Sequence, residues 1–281
     1  MPTITTDDGQ RLYYEEAGQG PALLFVHEFA GDHRSWEPQM RYFSRSHRCI
    51  AYSARGYLPS SVPEQVEDYS QWRVSQDIVC VLDALGLQQA HVVGLSMGAF
   101  ATLHFGMRHA TDPAHSRALS LTLAGCGTGS HPDVHEQFKK DSAVLGEQLI
   151  RDGMSKAGDA YCHGPARLPF LRKNPRGHAE FLRQFCEHSA LGSGLTSMGY
   201  QGRRPSLYGL REDIARIAVP TLIMTGDTDE PCLEPSLMLK RTIPGAQLAV
   251  LPDSGHGINL EEPELFNRLL RDFITALRIT A

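Results

Sequence analysis

Gly94-Leu95-Ser96-Met97-Gly98 holds a serine between two glycines, the G-x-S-x-G spacing of a sharp strand-to-helix turn that lifts a hydroxyl above a sheet. The chemistry open to such a serine is nucleophilic attack on a carbonyl. A serine hydroxyl is a weak nucleophile at neutral pH and needs a base within hydrogen-bond reach. A histidine of near-neutral pKa can take the proton and later return it to a leaving group. A buried carboxylate then fixes the imidazole tautomer and stabilises the imidazolium. The chain offers His256, after Leu251-Pro252-Asp253-Ser254-Gly255, and a choice of carboxylate among Asp227, Asp229 and Glu230. Asp227 reads as a turn former, since aspartates stabilise tight turns by bonding their own backbone. The helix start after Ser96 presents free N–H groups, and that of Met97 can stabilise an oxyanion. His91, His104 and His109 fall inside strand or helix frames and read as structural.

The elements that must position these groups follow from apolar spacing. Ala22-Leu23-Leu24-Phe25-Val26 and the run of Ala90, Val92 and Val93 are short and apolar, as expected of strands buried on both faces. Residues 11–17 read as an edge strand closed by Gly18-Gln19-Gly20-Pro21, and residues 48–52 and 119–124 as further strands. Residues 36–43 and 99–107 read as helices. Val74, Ile78, Val81, Leu82 and Leu85 make one helical face, capped by Ser70 or Asp68 and ended by Gly86. Strands alternating with helices predict an α/β fold with a doubly wound, mostly parallel sheet. From about 130 to 213 no strand pattern is visible. Phe138, Leu145, Leu149, Phe181 and Phe185 recur at loosely helical intervals there, which predicts an inserted helical cap between core segments 1–129 and 214–281. The sheet resumes at residues 220–225 and 247–251. A final amphipathic helix starts near Pro263 and carries Leu265, Phe266, Leu269, Leu270, Phe273, Ile274 and Leu277 on one face.

Composition narrows the function classes. The chain of 281 residues carries a formal charge of −5, which gives no basic field for nucleic acid or an anionic membrane surface. No apolar run approaches the ~20 residues of a membrane span, and the N-terminus lacks the blocks of a signal peptide. The six cysteines are scattered without a C-x-x-C pair, as expected of structural thiols in the cytoplasm. Among the thirteen histidines only His131 and His135 stand at H-x-x-x-H spacing, without the glutamate of an H-E-x-x-H pair, and neither a metal nor another cofactor is expected. Oligomeric state is left open by the sequence, a homodimer included.

In this combination the chain resembles the α/β-hydrolase superfamily over nearly its whole length outside the insertion. His27-x-Phe29-x-Gly31, the turn at Ser96, Gly226-x-x-Asp229 and Ser254-Gly255-His256 fall in that family's order. Trp36-x-Pro38-Gln39, Arg55-Gly56 and Leu82-Asp83-Ala84-Leu85-Gly86 resemble the branch of enol-lactonases, non-haem haloperoxidases and small carboxylesterases. The resemblance implies a Ser96–His256–Asp229 triad, with Asp229 selected over its neighbours by family spacing. It also implies an oxyanion hole from the Phe29 and Met97 N–H groups, with the Phe29 ring lining an acyl pocket or filling core. The implied function is a serine hydrolase of a small carboxylic ester or lactone, working through an acyl-enzyme. Alternatives are a C–C bond hydrolase of aromatic degradation and a non-catalytic receptor of the same fold. Two loops depart from the family. Glu28 stands where glycine is usual, and Ser53-Ala54-Arg55-Gly56-Tyr57-Leu58-Pro59-Ser60 replaces D-x-R-G-x-G-x-S. Glu28 is expected to bond its own loop, to pair with Arg55 or Arg34, or to face the substrate pocket.

Overall fold

The computed structural model describes residues 1–279. Its strands are β1 (Thr3–Thr5), β2 (Arg11–Ala17), β3 (Ala22–Val26), β4 (Arg48–Tyr52), β5 (Ala90–Leu95), β6 (Ala118–Ala124), β7 (Thr221–Gly226) and β8 (Gln247–Leu251). They form one sheet in the order β1-β2-β4-β3-β5-β6-β7-β8. β1 and β2 pair antiparallel, as do β2 and β4, while every pairing from β4 to β8 is parallel. The expected doubly wound sheet is therefore present. Residues 11–17 are not its edge, however. Thr3-Ile4-Thr5 adds a strand outside them, with Ile4 opposite Leu12, and three residues are too few to show a period of two.

Helices α1 (Glu37–Phe43), α2 (Gln71–Ala84) and α3 (Met97–His109) alternate with the first strands. Ser70 caps α2 by accepting the Arg73 N–H, and Gly86 closes it at φ 67°. The layers follow from strand alternation. On β3, Leu23 and Phe25 pack with Trp36 and Phe43 of the α1 region, while Leu24 and Val26 pack with Ile78, Phe100 and Leu103 of α2 and α3.

Between β6 and β7 lie α4 (Pro132–Asp152), α5 (Met154–Cys162), α6 (Leu168–Lys173), α7 (Pro175–Cys186), α8 (Ala190–Leu195) and α9 (Arg211–Ile214), with no strand among the described residues. After β7 come α10 (Glu230–Thr242), α11 (Ile258–Glu261) and α12 (Pro263–Ile279). The apolar face of α12 supplies Phe266, Leu270, Phe273 and Ile274 to the core on the α1 side. No described helix is long and apolar enough to cross a membrane. All six cysteines are free thiols, and burial pushes those of Cys49, Cys126 and Cys162 up to about 12.

Strand order decides where groups can meet. β4 lies on one side of β3 and β5 on the other, so chain direction reverses its winding between β3 and β5. Open parallel sheets leave a crevice at such a point, beyond the carboxyl ends of the strands. The loops after β3 and β5 both open there, one carrying Glu28 and Phe29, the other Ser96.

Candidate active site

Ser96 joins β5 to α3 with φ 53° and ψ −114°, a conformation that costs a non-glycine residue about 1–3 kcal/mol. The fold holds it there by close packing. A Cβ on Gly98 would come within 2.1 Å of the Val26 carbonyl oxygen, and one on Gly94 within 2.3 Å of the Gly98 oxygen. The flanking glycines thus let α3 start directly against β3. Gly98→Ala is expected to destabilise the protein by about 3 kcal/mol or more, because backbone atoms cannot step aside as a side-chain end could. Thermal unfolding checks this; a change under 1 kcal/mol would mean that the turn has slack.

The His256 ring bridges Ser96 and Asp229. Its Nε2 lies 2.7 Å from Ser96 Oγ and its Nδ1 2.6 Å from Asp229 Oδ2. A carboxylate accepts only, so Nδ1 carries the proton and Nε2 presents its lone pair to the serine hydroxyl. Asp229, at the start of α10, is buried. Burial pushes its carboxyl up, but His256, the Cys232 thiol and the more distant Arg167 together outweigh that and hold it below the usual carboxylate value. Asp227 does something else. It is exposed, and its Oδ1 accepts the Ser254 N–H at 3.0 Å, tying the β7 turn to the loop that carries His256. Glu230 is also exposed.

The two amides expected to face an oxyanion are held in a consistent way. The Glu28 carbonyl accepts from His27 Nδ1 at 2.7 Å and from the Gly31 N–H at 3.1 Å. In a trans peptide the N–H points opposite to the carbonyl, so these bonds fix the direction of the Phe29 N–H. His27 is locked in turn, because its Nε2 accepts the Ala54 N–H at 2.9 Å and burial lowers its pKa to about 4, keeping it neutral. Among the described residues neither the Phe29 nor the Met97 N–H donates to a protein group. Their own carbonyls are bonded by Tyr57 Oη (to Phe29, 2.9 Å) and Tyr200 Oη (to Met97, 2.7 Å). The Phe29 ring is buried and packs with Tyr161 and Phe185 of the insertion, at 5.8 and 6.2 Å between centroids.

Glu28 bonds neither expected arginine. Arg55 is taken by Asp77 and Asp8, and Arg34 by Asp32 and Glu187. The Glu28 carboxylate is instead fully buried against Arg167, which comes from the turn between α5 and α6. The expected pairing fails because loops neighbouring in the sheet edge are not the only cations in reach; the insertion folds back over them. Arg167, Tyr161 and Thr128 were absent from the sequence-based site, yet they line a cavity of about 200 Å³ together with His256 and Asp229. Only the Gly164-Pro165 break marks that turn in the sequence. A second cavity, of about 780 Å³, adjoins at Thr128 and Pro231 and is walled by Val134, Phe138 and Pro235. The potential metal donors that cluster among the described residues are Asp229, Cys232 and His256. There the His256 Nδ1 already serves Asp229, and burial keeps the Cys232 thiol protonated.

A family model described as the alpha/beta hydrolase fold matches residues 21–263, and the chain belongs to that family. It is 27% identical to a putative 2-succinyl-6-hydroxy-2,4-cyclohexadiene-1-carboxylate synthase of Bacillus subtilis (strain 168), over 98% of each chain. It is 24% identical to 3-oxoadipate enol-lactonase 1 of Acinetobacter baylyi, over 98% of this chain and 97% of that one. Among solved structures, a thermophilic esterase from Thermogutta terrifontis superposes with a TM-score of 0.84 at 24% identity, over 98% of each chain.

Proposed function

We propose that the protein is a serine hydrolase of small carboxylic esters or lactones. The observation that carries this reading is the continuous hydrogen-bonded line from Ser96 Oγ through His256 to Asp229. Ser96 attacks the carbonyl carbon while His256 Nε2 takes its proton. The Phe29 and Met97 N–H groups hold the developing oxyanion, each such donor being worth about 3 kcal/mol in related chemistry. The imidazolium then protonates the leaving alcohol, an acyl-enzyme remains, and a water activated by His256 releases the acid. Relatives named as an enol-lactonase and an esterase support this class of substrate.

Residues 130–213 act as a cap in this reading. Tyr161, Ala166 and Arg167 wall the smaller cavity beside His256, and a largely apolar pocket limits water at the reacting carbonyl. The smaller cavity takes a short acyl group, and the adjoining larger one gives the rest of the substrate its room. Tyr161→Leu is expected to move the kcat/KM ratio of hexanoyl to acetyl esters about tenfold toward the longer chain. The rate of fluorophosphonate labelling of Ser96 should change far less. An unchanged ester preference would deny the segment a part in the pocket.

The direct test combines that probe with turnover of p-nitrophenyl esters, a lactone and a ring-cleavage dienone, with Ser96→Ala as the control. Labelling with ester or lactone turnover supports the proposal. Turnover of the dienone alone would make the protein a C–C bond hydrolase. Absence of both labelling and turnover would leave it a ligand-binding receptor of this fold.

A further inference from the structure

The Glu28–Arg167 pair is buried on both sides, Glu28 at 0% and Arg167 at 4% exposure. Arg167 Nη1 lies 2.9 Å from Glu28 Oε1, and Nη2 bonds Oε2. The guanidinium also stands over the rings of Phe181, at 5.0 Å, and Tyr161, at 5.6 Å. Burial works against both charges, yet each holds the other ionised, Glu28 below its ordinary value and Arg167 above. Desolvation makes such a pair a poor source of stability, and apolar residues of equal volume often serve as well. Its position offers another account.

The residue before Arg167 bonds the backbone of the proposed base: the His256 N–H donates to the Ala166 carbonyl at 2.9 Å. The approach is close enough that a Cβ on Gly255 would come within 2.2 Å of that oxygen, and one on Gly257 within 3.0 Å of Arg167 Nη1. On the opposite side Glu28 directly precedes Phe29, whose N–H is a proposed oxyanion donor. One short turn of the insertion therefore grips both halves of the machinery. It holds the oxyanion loop through a charge pair and the His256 loop through a backbone bond.

We infer that Glu28 and Arg167 are positioning residues whose ion pair seats the 165–167 turn, so that docking of the insertion sets the His256 backbone and the Phe29 amide together. This rests on the serine-hydrolase reading. Neither residue touches the reacting atoms. Their pairing also removes a liability, because a bare carboxylate beside the Phe29 amide would oppose the oxyanion. At roughly 6 Å and an effective dielectric of about 20, that repulsion amounts to about a hundredfold in rate.

Two variants test this in the full chain, Arg167→Met and the double Glu28→Leu/Arg167→Met. Thermal unfolding, kcat and KM on a p-nitrophenyl ester, fluorophosphonate labelling and amide exchange over residues 253–257 are measured for each. Arg167→Met is expected to lose stability and to slow by more than about a hundredfold, since Glu28 is left unpaired. The double variant should regain stability but remain about thirtyfold to a hundredfold down in kcat, with KM within about threefold of wild type. Its His256 amide should exchange faster than in wild type. Should Arg167→Met fail to fold, the double variant carries the test alone. Recovery of kcat and amide protection together with stability would overturn the inference, leaving the pair as filling. A wild-type protein that neither labels nor turns over would instead defeat the hydrolase reading, and this inference with it.

Discussion

Ser96→Ala and His256→Ala are each expected to lower kcat for ester cleavage by about 10⁴- to 10⁶-fold, and the double variant by little more than either alone. The non-additivity is the informative part. In the proposed mechanism Ser96 Oγ and His256 Nε2, 2.7 Å apart, act as one unit: the hydroxyl attacks only as its proton leaves, and the imidazole accepts only what the hydroxyl gives. Removing either removes the covalent route. A hundred-thousandfold loss is about 7 kcal/mol of transition-state stabilisation, more than any single hydrogen bond supplies. The residual rate would come from the Phe29 and Met97 amides and from substrate positioning, which no side-chain truncation at Ser96 disturbs. Ser96→Ala also removes the fluorophosphonate target without changing the turn, since alanine can take the same backbone geometry at similar cost. Active-site titration guards against wild-type carry-over. Ester turnover by Ser96→Ala within tenfold of wild type would show that the serine is not the nucleophile.

Much of the sheet was legible because its central strands are buried on both faces. Leu23, Leu24, Phe25 and Val26 have nowhere polar to point, so the run announces itself. β1 was not legible, since Thr3, Ile4 and Thr5 show one buried position between two exposed ones. The serine turn was legible from Gly94 and Gly98, whose lack of side chains is a steric necessity of α3 meeting β3. His256 and Asp229 were chosen by order along the chain, and the sheet edge brings them together. The partner of Glu28 was not legible. Arg167 lies 139 residues away, on a turn whose docking depends on how six helices pack. A sequence shows that an ion must find a counter-ion; it does not say which element will fold back to supply it. The same holds for Tyr57 and Tyr200, whose hydroxyls bond the Phe29 and Met97 carbonyls without any local motif to mark them.

Asp229→Asn is expected to lower kcat by about 10⁴-fold, while Asp227→Asn changes it by less than about threefold. Both carboxylates lie in the same turn after β7 and differ in what they accept. Asp229 is buried and accepts a hydrogen bond from the His256 Nδ1–H, which leaves Nε2 as the lone pair facing Ser96. An asparagine there can donate to Nδ1 through its amide, favouring the tautomer with the proton on Nε2, and that form cannot accept from the serine. Asp227 takes a backbone N–H from Ser254, and an asparagine oxygen does the same at the surface with a loss of about 1 kcal/mol or less. Stability against pH gives a second readout. With its native pKa depressed, Asp229 adds stability that is present above the ordinary carboxylate pKa and is lost as pH falls through the native value. Asp229→Asn should therefore be less stable than wild type at pH 7, with the gap narrowing in acid. Measured kcat values for the two asparagine variants decide the matter. An inactive Asp227→Asn beside an active Asp229→Asn would move the acid of the site to Asp227 and require the His256 ring to turn away from its present partner.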